Sequence, residues 1–360
     1  MRTVINGRFL CASQTGVQRV AANLILAVDS LLAERGATAA GDWVVRAPRG
    51  AQARFPLKSM RFAGDSLLMG HAWEQLELPL ATGRAELINL CNAGPLNVPS
   101  ALTVIHDAQV YLTPQSYSQA FASWYRFALP RLAARSRRVA TVSEFSKNML
   151  ARFGVAPLER IAVIPNGVDH ILQVPADDAV RRRLGLTLTP YVVAFGSLQP
   201  HKNLALLLRA FAAPALADIQ LVVCGGLEAA EVERALGVAP GRNVLFAGRV
   251  TDGEIRALLE GAVCLACPST TEGFGLPPLE AMRLGCPAVV SPAGALPEVC
   301  GSAAVYAAAD DPGAWVAAIG ELATDAGVRE ACRSRSQAHA AQYTWRRSAE
   351  RLLDLLAADA

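Results

Sequence analysis

Two kinds of hydrophobic pattern alternate along the first half of the chain. Short runs rich in β-branched and aliphatic residues indicate strands, and longer segments with apolar residues three or four positions apart indicate helices. The predicted helices cover residues 16–35, 115–134 and 143–153. The predicted strands are TVIN (3–6), DWVVRA (42–47), ELINL (86–90), ALTVIH (101–106), RVATVS (138–143) and RIAVIP (160–165).

The alternation continues in the second half, with predicted helices at about 202–213, 228–236, 252–260 and 277–284. Nearly continuous apolar strands that alternate with helices are typical of parallel sheets covered on both faces. Two such series predict an α/β protein with two Rossmann-like, doubly wound domains that face each other across a cleft. The second series of strands is YVVAFGS (191–197), IQLVVCGG (219–226), NVLFAG (243–248), AVCLACPS (262–269), PAVVS (287–291) and AAVY (303–306).

A polar, irregular segment separates the two series. Asn166 and Gly167 indicate a turn, and a proline, two aspartates and three consecutive arginines follow. We predict a first domain over 1–172, a linker over 173–188 and a second domain over 189–342. The tail 311–358 has a helical pattern throughout, and its last part, 343–360, is predicted as a helix that can cross back to the first domain.

The composition excludes several classes of protein. The chain has 360 residues, of which 52% are hydrophobic, enough for a large core and too many for a disordered chain. The 34 basic and 31 acidic residues leave a net charge of +3, far from the basic excess of a dedicated nucleic-acid-binding protein. No run of about 18 apolar residues predicts a membrane span, and the N-terminus lacks the apolar core of a signal peptide. We therefore expect a cytoplasmic protein.

The chain has eight cysteines, and most of them are interpreted as small buried residues because they lie in apolar runs. Cys264 and Cys267 form a Cys-x-x-Cys pair in a predicted strand, where positions three apart face opposite sides of the sheet. A shared metal is therefore not expected, and the sequence has no Asp-x-Asp pair and no His/Asp cluster with metal-ligand spacing. We expect neither a metal nor a cofactor.

The segment PSTTEGFGLPPLEAMRLGCPAVVS (268–291) has the pattern of a strand, a glycine-containing loop and a helix. Glu272 precedes Gly-Phe-Gly, where glycines allow the backbone to approach a ligand closely. Pro277 and Pro278 suit the first turn of a helix. The loop therefore lies at a helix N-terminus, where unpaired N–H groups and the helix dipole favour phosphate. Glu280, within the first turns, can accept hydrogen bonds from vicinal hydroxyls such as those of a ribose.

Glu272 and Glu280 form an E-x7-E pair within EGFGLPPLEAM, and this string resembles the donor-site signature of family-4 retaining glycosyltransferases. The resemblance covers nearly the whole chain in order and spacing, and it implies the GT-B fold and a nucleotide-sugar substrate. The other matching strings are TGVQRV (15–20), IHD (105–107), TVSEFS (141–146), IPNGVD (164–169), FGSLQPHKN (195–203), FAGRV (246–250) and SPAGALPEV (291–299).

The resemblance implies a role for each matching residue. Glu272 would contact the transferred sugar, Glu280 the ribose and Lys202 the diphosphate, with backbone amides of residues 274–276 on the same diphosphate. Arg249 and Val250 would lie near the base. Lys202, Glu272 and His106 are the predicted catalytic residues. The predicted donor-binding set is Gly16, Gly196, Lys202, Arg249, Val250, Glu272, Gly273, Phe274, Gly275, Leu276 and Glu280.

His106 has two interpretations. The resemblance implies that it reaches from the first domain to the sugar or the reacting bond, whereas a histidine at a strand end next to Asp107 can also be a structural hydrogen-bond partner. His71, His170 and His339 have no chemistry-bearing neighbours in the sequence, and we interpret them as surface or structural residues.

A lysine and a helix N-terminus that face a departing diphosphate would stabilise its growing charge without a metal. Retention of configuration is implied by the resemblance alone, and no nucleophilic carboxylate is identifiable, so attack on the same face with help from the leaving phosphate is preferred. One loop departs from the family: Ser197 and His201 stand where many members have an arginine. Either the phosphates depend on Lys202 and backbone amides alone, or His201 or an arginine of the first domain, such as Arg19, contributes a contact.

Residues 108–143 contain five arginines, no acidic residue and several aromatic residues. The pattern indicates either a solvated helix face above core aromatics or a surface that meets anionic lipid at the inner face of the plasma membrane.

We predict a hexosyltransferase of polysaccharide or lipopolysaccharide biosynthesis, with a glycan or lipid-linked acceptor, a nucleotide-sugar donor and no nucleic-acid partner. TGVQRV favours GDP-mannose as the donor. Two alternatives stay open: a nucleotide-sugar isomerase of the same fold, which the E-x7-E pair disfavours, and a catalytically silent nucleotide-sugar-binding paralogue, which the intact candidate residues disfavour.

Overall fold

The computed structural model describes residues 2–13, 15–36, 42–51, 56–64 and 66–358. The chain divides into two compact units: Met1–Gly167 together with Thr344–Ala360, and Val168–Tyr343. Each unit contains one sheet whose neighbouring strands run parallel. The predicted α/β class with two Rossmann-like units is confirmed.

The first unit has a seven-stranded sheet in the order β3-β2-β1-β4-β5-β6-β7. All five residues of β5 are buried, as expected for a strand covered on both faces. The strands are β1 (Arg2–Asn6), β2 (Asp42–Arg46), β3 (Arg61–Ala63), β4 (Glu86–Asn89), β5 (Ser100–Val104), β6 (Ser136–Thr141) and β7 (Ile161–Val163). The helices are α1 (Gly16–Arg35), α2 (Gly70–Ala72), α3 (Leu78–Thr82), α4 (Gln109–Leu112), α5 (Gln119–Arg135) and α6 (Glu144–Arg152), with a π-helical stretch at Trp73–Glu77.

Within the described ranges, α1 alone is long and apolar enough to match a membrane span by length and composition. Its inward face is part of the core of the first unit, where Leu24, Ile25 and Val28 are buried. Asp29 on the same helix accepts hydrogen bonds from the backbone N–H groups of Ser59 and Met60 (2.9 and 2.7 Å). These are the contacts of an amphipathic helix that packs within a protein.

The second unit has a six-stranded sheet in the order β10-β9-β8-β11-β12-β13. Its strands are β8 (Tyr191–Phe195), β9 (Gln220–Cys224), β10 (Val244–Gly248), β11 (Cys264–Cys267), β12 (Ala288–Val290) and β13 (Val305–Tyr306). Its helices are α7 (Ala179–Arg183), α8 (Leu204–Phe211), α9 (Ala229–Leu236), α10 (Asp252–Gly261), α11 (Leu276–Arg283), α12 (Leu296–Cys300), α13 (Pro312–Thr324) and α14 (Ala326–Ala340).

Residues 173–188, predicted as a linker, belong instead to the second unit. Val180 of α7 and Leu186 are buried in one hydrophobic cluster with Leu258 and Leu259 of α10. These apolar side chains lie between charged ones, so the segment is polar in composition and still contributes to the core.

The tail is helical, as predicted, and is divided into three helices. Helix α13 ends at Thr324, and the carboxylate of Asp325 accepts a hydrogen bond from the N–H of Val328 (2.9 Å) to cap α14. A last helix, α15 (Trp345–Ala357), belongs to the first unit. There it packs along α1, and Arg346 pairs with Glu34 (2.9 Å).

Candidate functional site

In the second unit, the neighbouring strands β8 and β11 end at the same edge of the sheet. The loops that follow them are bonded together, since the N–H of Thr270 donates to the carbonyl oxygen of His201 (2.8 Å). Asn203, in the left-handed conformation (φ 54°), donates through Nδ2 to the carbonyl oxygens of Pro268 and Ala309 (3.2 and 2.7 Å). Ligands of open parallel sheets bind beyond the carboxyl ends of the strands, so this edge is a candidate site.

Lys202 and Glu272 meet at this edge. The Nζ atom of Lys202 lies 2.7 Å from Oε1 of Glu272, and the hydroxyl of Ser269 donates to the same oxygen (2.7 Å). The Glu272 side chain is 15% exposed and that of Lys202 is 32% exposed. The pair is therefore held by the protein yet open to a ligand, and it presents a cation and a hydrogen-bond acceptor side by side.

The backbone beside Glu272 is fixed by Gly294. This glycine has φ +63°, and a Cβ atom added to it would lie only 2.4 Å from the backbone nitrogen of Glu272. The next residue, Ala295, donates its N–H to the carbonyl oxygen of Glu272 (2.9 Å). Only a residue without a side chain allows this approach, so the loop after β12 sets the position of the Glu272 loop.

The N-terminus of α11 follows directly. Gly275 is its N-cap, with φ +98°, and prolines occupy the next positions after Leu276. Because Pro277 and Pro278 have no N–H, the donors at this helix end come from the preceding residues. Phe274 is 5% exposed and packs edge-on against Tyr343 (6.0 Å between centroids), which anchors the loop.

Glu280 lies in the second turn of α11 and faces His170. Both residues are buried, at 6% and 8% exposure, and Oε1 of Glu280 lies 3.1 Å from Nε2 of His170. A surface or structural role was predicted for His170, and its contact with Glu280 was not predicted. No local pattern signals this contact, because the two segments are far apart in the chain and meet only through folding.

The remaining predicted donor-site residues of this unit lie around the same edge. Gly196, after β8, is so close to Val223 that a Cβ atom would lie 2.6 Å from its Cγ1. Arg249, after β10, approaches Gly226 of the loop after β9, with Nε 3.3 Å from the position of a Cβ there. Val250 packs against the adjoining hydrophobic cluster.

The two residues that replace the family's arginine have different surroundings. The hydroxyl of Ser197 accepts a hydrogen bond from the N–H of Gln199 (3.2 Å). His201 is buried, and its burial, with a smaller contribution from the charge of Lys202, lowers the pKa of its imidazole below the usual 6.5. His201 is therefore neutral at pH 7 and does not supply the positive charge of the missing arginine.

In the first unit, His106 follows β5 and is 4% exposed. Its Nε2 lies 2.8 Å from the carbonyl oxygen of Leu90, which requires a proton on Nε2, and its backbone N–H donates to Asn92 (2.6 Å). Burial lowers the pKa of the ring. These contacts are the ones expected of a histidine that serves as a structural hydrogen-bond partner. The catalytic role of His106 stays a prediction. Gly16 begins α1, which Thr15 and Gln18 cap reciprocally.

The first unit also contains a cavity of about 620 Å³ that the sequence analysis did not predict. Glu74 at its wall is 1% exposed and accepts hydrogen bonds from Asn6 Nδ2 (2.8 Å) and pairs with Arg8 Nε (3.0 Å). Its lining includes Arg8, His71, Glu74, Phe121, Trp124 and Tyr125. A cavity lined by both polar and aromatic side chains suits a small ligand with one polar and one apolar face.

The basic aromatic stretch contributes to this cavity through α5. Its arginines also have partners within the unit: Arg131 lies 3.6 Å above the ring of Phe127, and Arg137 pairs with Glu86 (2.6 Å). Phe121, Trp124 and Phe127 are 42%, 38% and 46% exposed. Contact of this stretch with anionic lipid stays a prediction.

The eight cysteines are free thiols, and Cys264 is buried in the sheet. Burial raises the pKa of the Cys267 thiol to about 11, so it is protonated and unreactive at neutral pH. Within the described parts of the chain, no group of three His, Cys, Asp or Glu residues is arranged to hold a metal ion.

Comparison with known proteins shows the family of this chain. The model for "Glycosyltransferase Family 4" matches residues 16–171, and the model for "Glycosyl transferases group 1" matches residues 177–339. The O-antigen chain mannosyltransferase B of Escherichia coli is 30% identical over 263 residues, which are 70% of this chain and 68% of that protein. The D-inositol 3-phosphate glycosyltransferase of Salinispora tropica is 36% identical over 252 residues, 62% of this chain, and the match spans about half (51%) of that protein.

Solved structures agree on the fold. The Anabaena protein HepE, in complex with UDP and glucose, has a TM-score of 0.72 and 19% identity, with 99% of each chain covered. The two units thus define a GT-B fold. The chain belongs to the group 1 glycosyl transferases, as the resemblance of its motifs predicted.

Proposed function

We propose that this protein is a glycosyltransferase that moves a hexose from a nucleoside-diphosphate sugar to a glycan acceptor. The Lys202–Glu272 pair beside the N-terminus of α11 carries the proposal. It combines a cation, a carboxylate and backbone N–H groups at the sheet edge where nucleotides bind in doubly wound folds.

The reaction follows from the charges of this pair. In the free protein Lys202 neutralises Glu272; with donor bound, the ammonium would contact the β-phosphate and the carboxylate would accept hydrogen bonds from the sugar hydroxyls. As the bond between C1 and the β-phosphate oxygen breaks, negative charge grows on the diphosphate, where Lys202 and the helix end stabilise it electrostatically.

We propose retention of configuration without a metal ion. The acceptor oxygen would bond to C1 on the face from which the diphosphate leaves, and its proton would pass to the leaving phosphate oxygen. This scheme needs no carboxylate nucleophile and no divalent ion, because Lys202 and backbone amides take the place of a metal at the diphosphate.

The donor is proposed to be GDP-mannose. Two observations support mannose: the string TGVQRV, and a relative whose name specifies an O-antigen chain mannosyltransferase. The HepE complex with UDP and glucose makes UDP-glucose the main competitor. Glu280 would hold the ribose, with Arg249 and Val250 near the base.

The acceptor side is proposed to use the cavity of the first unit. The rings of Trp124 and Phe121 can pack on the apolar face of a sugar, while Arg8 and His71, which also line the cavity, can bond its hydroxyls. Because Glu74 and Arg8 neutralise each other, the cavity suits a neutral sugar at the end of a glycan.

A panel of nucleotide sugars, measured by thermal unfolding, tests the donor. A ligand that binds only the folded state raises the melting temperature. GDP-mannose is expected to give the largest increase, and Lys202→Ala is expected to remove it. No increase with any nucleotide sugar would contradict the proposed function, and a larger increase with UDP-glucose would overturn the choice of donor.

A further inference from the structure

A buried pair of titratable side chains lies behind the candidate site of the second unit. Nε2 of His170 is 3.1 Å from Oε1 of Glu280, and both residues are more than nine-tenths buried. The two atoms are within ion-pair distance but lack the alignment of a straight hydrogen bond. A buried carboxylate is costly unless it has a polar partner, so His170 stabilises Glu280 in its present position.

The segment that carries His170 is itself fixed. It begins a short 3-10 helix, Asp169–Gln173, and the neighbouring Val168 and Ile171 are 0% and 1% exposed. The N–H of Val168 donates to the carbonyl oxygen of Tyr343 (3.0 Å). His170 is therefore presented to α11 by a rigid backbone and not by a mobile loop.

We infer that His170 is a positioning residue for ribose recognition: it holds one oxygen of Glu280, so that the other is directed at the vicinal hydroxyls of the nucleotide. This inference rests on the proposed role of Glu280 as the ribose-binding residue. It differs from a stabilising role alone, because it predicts an effect that depends on the hydroxyls of the ligand.

The test compares ligands with and without those hydroxyls. Calorimetric titration would measure the Kd of two pairs of ligands for wild type and variants. The pairs are GDP with 2′,3′-dideoxy-GDP, and UDP with its dideoxy analogue. His170→Leu is expected to weaken binding of the ribonucleotide about 10-fold, equivalent to about 1.4 kcal/mol. Binding of the dideoxy analogue is expected to stay within about twofold of wild type.

Two further variants keep the test decisive if His170→Leu folds poorly. The amide nitrogen of His170→Gln extends about as far as Nε2 and is expected to retain most of the ribose preference, whereas the shorter His170→Asn is expected to lose it. Glu321→Gln is the control, because Glu321 is an exposed residue of α13 in the same unit, and its substitution should leave the preference unchanged.

The outcomes separate the inference from the function it rests on. If the His170 variants lose the same affinity for the ribonucleotide and for its dideoxy analogue, or lose none, the positioning role of His170 is overturned. The role of Glu280 is kept in that case, provided that Glu280→Gln still lowers the preference for the ribonucleotide. Failure of Glu280→Gln to lower that preference would overturn the role of Glu280 and the inference with it. Absence of binding of GDP and UDP to wild type would overturn the proposed function itself.

Discussion

The two units carry polar sites of different character. In the second unit, Lys202 and Glu272 lie at the open ends of neighbouring strands, and the lysine side chain is one-third exposed. In the first unit, Glu74 is almost fully buried and already bonded to Asn6 and Arg8, and aromatic rings line the same cavity. The first arrangement suits a charged ligand and the second a neutral ring. Under the proposed function, donor and acceptor recognition would therefore depend on separate residues.

Glu272→Ala should have the largest effect, with transfer falling at least about 100-fold, because the carboxylate is proposed to contact the reacting sugar. Affinity for the nucleoside diphosphate should change little, since that part of the donor contacts other residues. Single-turnover rates and calorimetry would measure the two quantities. Glu321→Ala, an exposed acid on α13, is the control, and transfer by Glu272→Ala at near the wild-type rate would remove Glu272 from the site.

Lys202→Ala should weaken binding of the nucleoside diphosphate about 10- to 100-fold and slow transfer, because a charge-assisted contact to the β-phosphate is lost. Lys202→Arg should restore only part of the affinity and of the transfer rate, since a planar guanidinium does not replace a compact ammonium. Calorimetric titration would measure the affinities, with Arg209→Ala on the exposed face of α8 as control. Equal affinities of wild type and Lys202→Ala would shift the phosphate role to other residues.

Gly294→Ala should lower both stability and transfer, because the left-handed backbone costs about 1–2 kcal/mol for a residue with a side chain and the new Cβ would press on the backbone of Glu272. We expect about a 10-fold slower transfer and a lower Tm. Gly320→Ala is the matched control: it lies in α13 with open space around it and should stabilise by about 0.5–1 kcal/mol. Normal transfer by a folded Gly294→Ala would show that this glycine does not position Glu272.

Trp124→Ala sharpens the contrast from the side of the first unit. The KM for the glycan acceptor should rise about 10-fold, as for a buried aromatic contact in a binding site, while the donor Kd stays unchanged. Phe127→Ala, an exposed aromatic on the same helix that does not line the cavity, should leave both constants unchanged. An increase in donor Kd for Trp124→Ala would contradict the separation of the two sites.

The smallest expected effect is on the pH dependence of stability. Burial lowers the pKa values of His106 and His201 below the usual 6.5, so the unfolded chain binds more protons than the folded chain in mildly acidic solution. The free energy of unfolding should therefore decrease as the pH falls below about 6.5. Denaturant titrations of wild type, His106→Gln and His201→Gln would measure how steeply the free energy of unfolding changes with pH. Each variant should reduce this slope, and an unchanged slope would contradict the assigned role of that histidine.

The fold was predictable where the pattern was long. Both sheets follow from apolar runs, whereas β3 has only three residues, and the α2–α3 region contains a π-helical stretch that matches neither a period of 3.6 nor of 2. The linker was misjudged because one buried residue decided its place: Val180 joins the polar segment to the core of the second unit.

The site was predictable only where its residues form a contiguous motif. Glu272, Glu280 and the glycine loop lie in one short string, so the sequence alone shows that they belong to one site. His170, Gly294 and the cavity around Glu74 are assembled from separate segments, and their contacts exist only in the folded chain.

Hexose transfer from a nucleotide sugar without a metal is the activity proposed for this protein. The most direct measurement incubates the protein with GDP-mannose and a panel of alkyl glycosides in excess chelator, and analyses the products by mass spectrometry and by NMR of the anomeric centre. The account predicts that one hexose is added, GDP is released and the anomeric configuration is kept. No transfer from any donor of the panel, transfer that requires added Mg²⁺ or Mn²⁺, or an inverted product would contradict it.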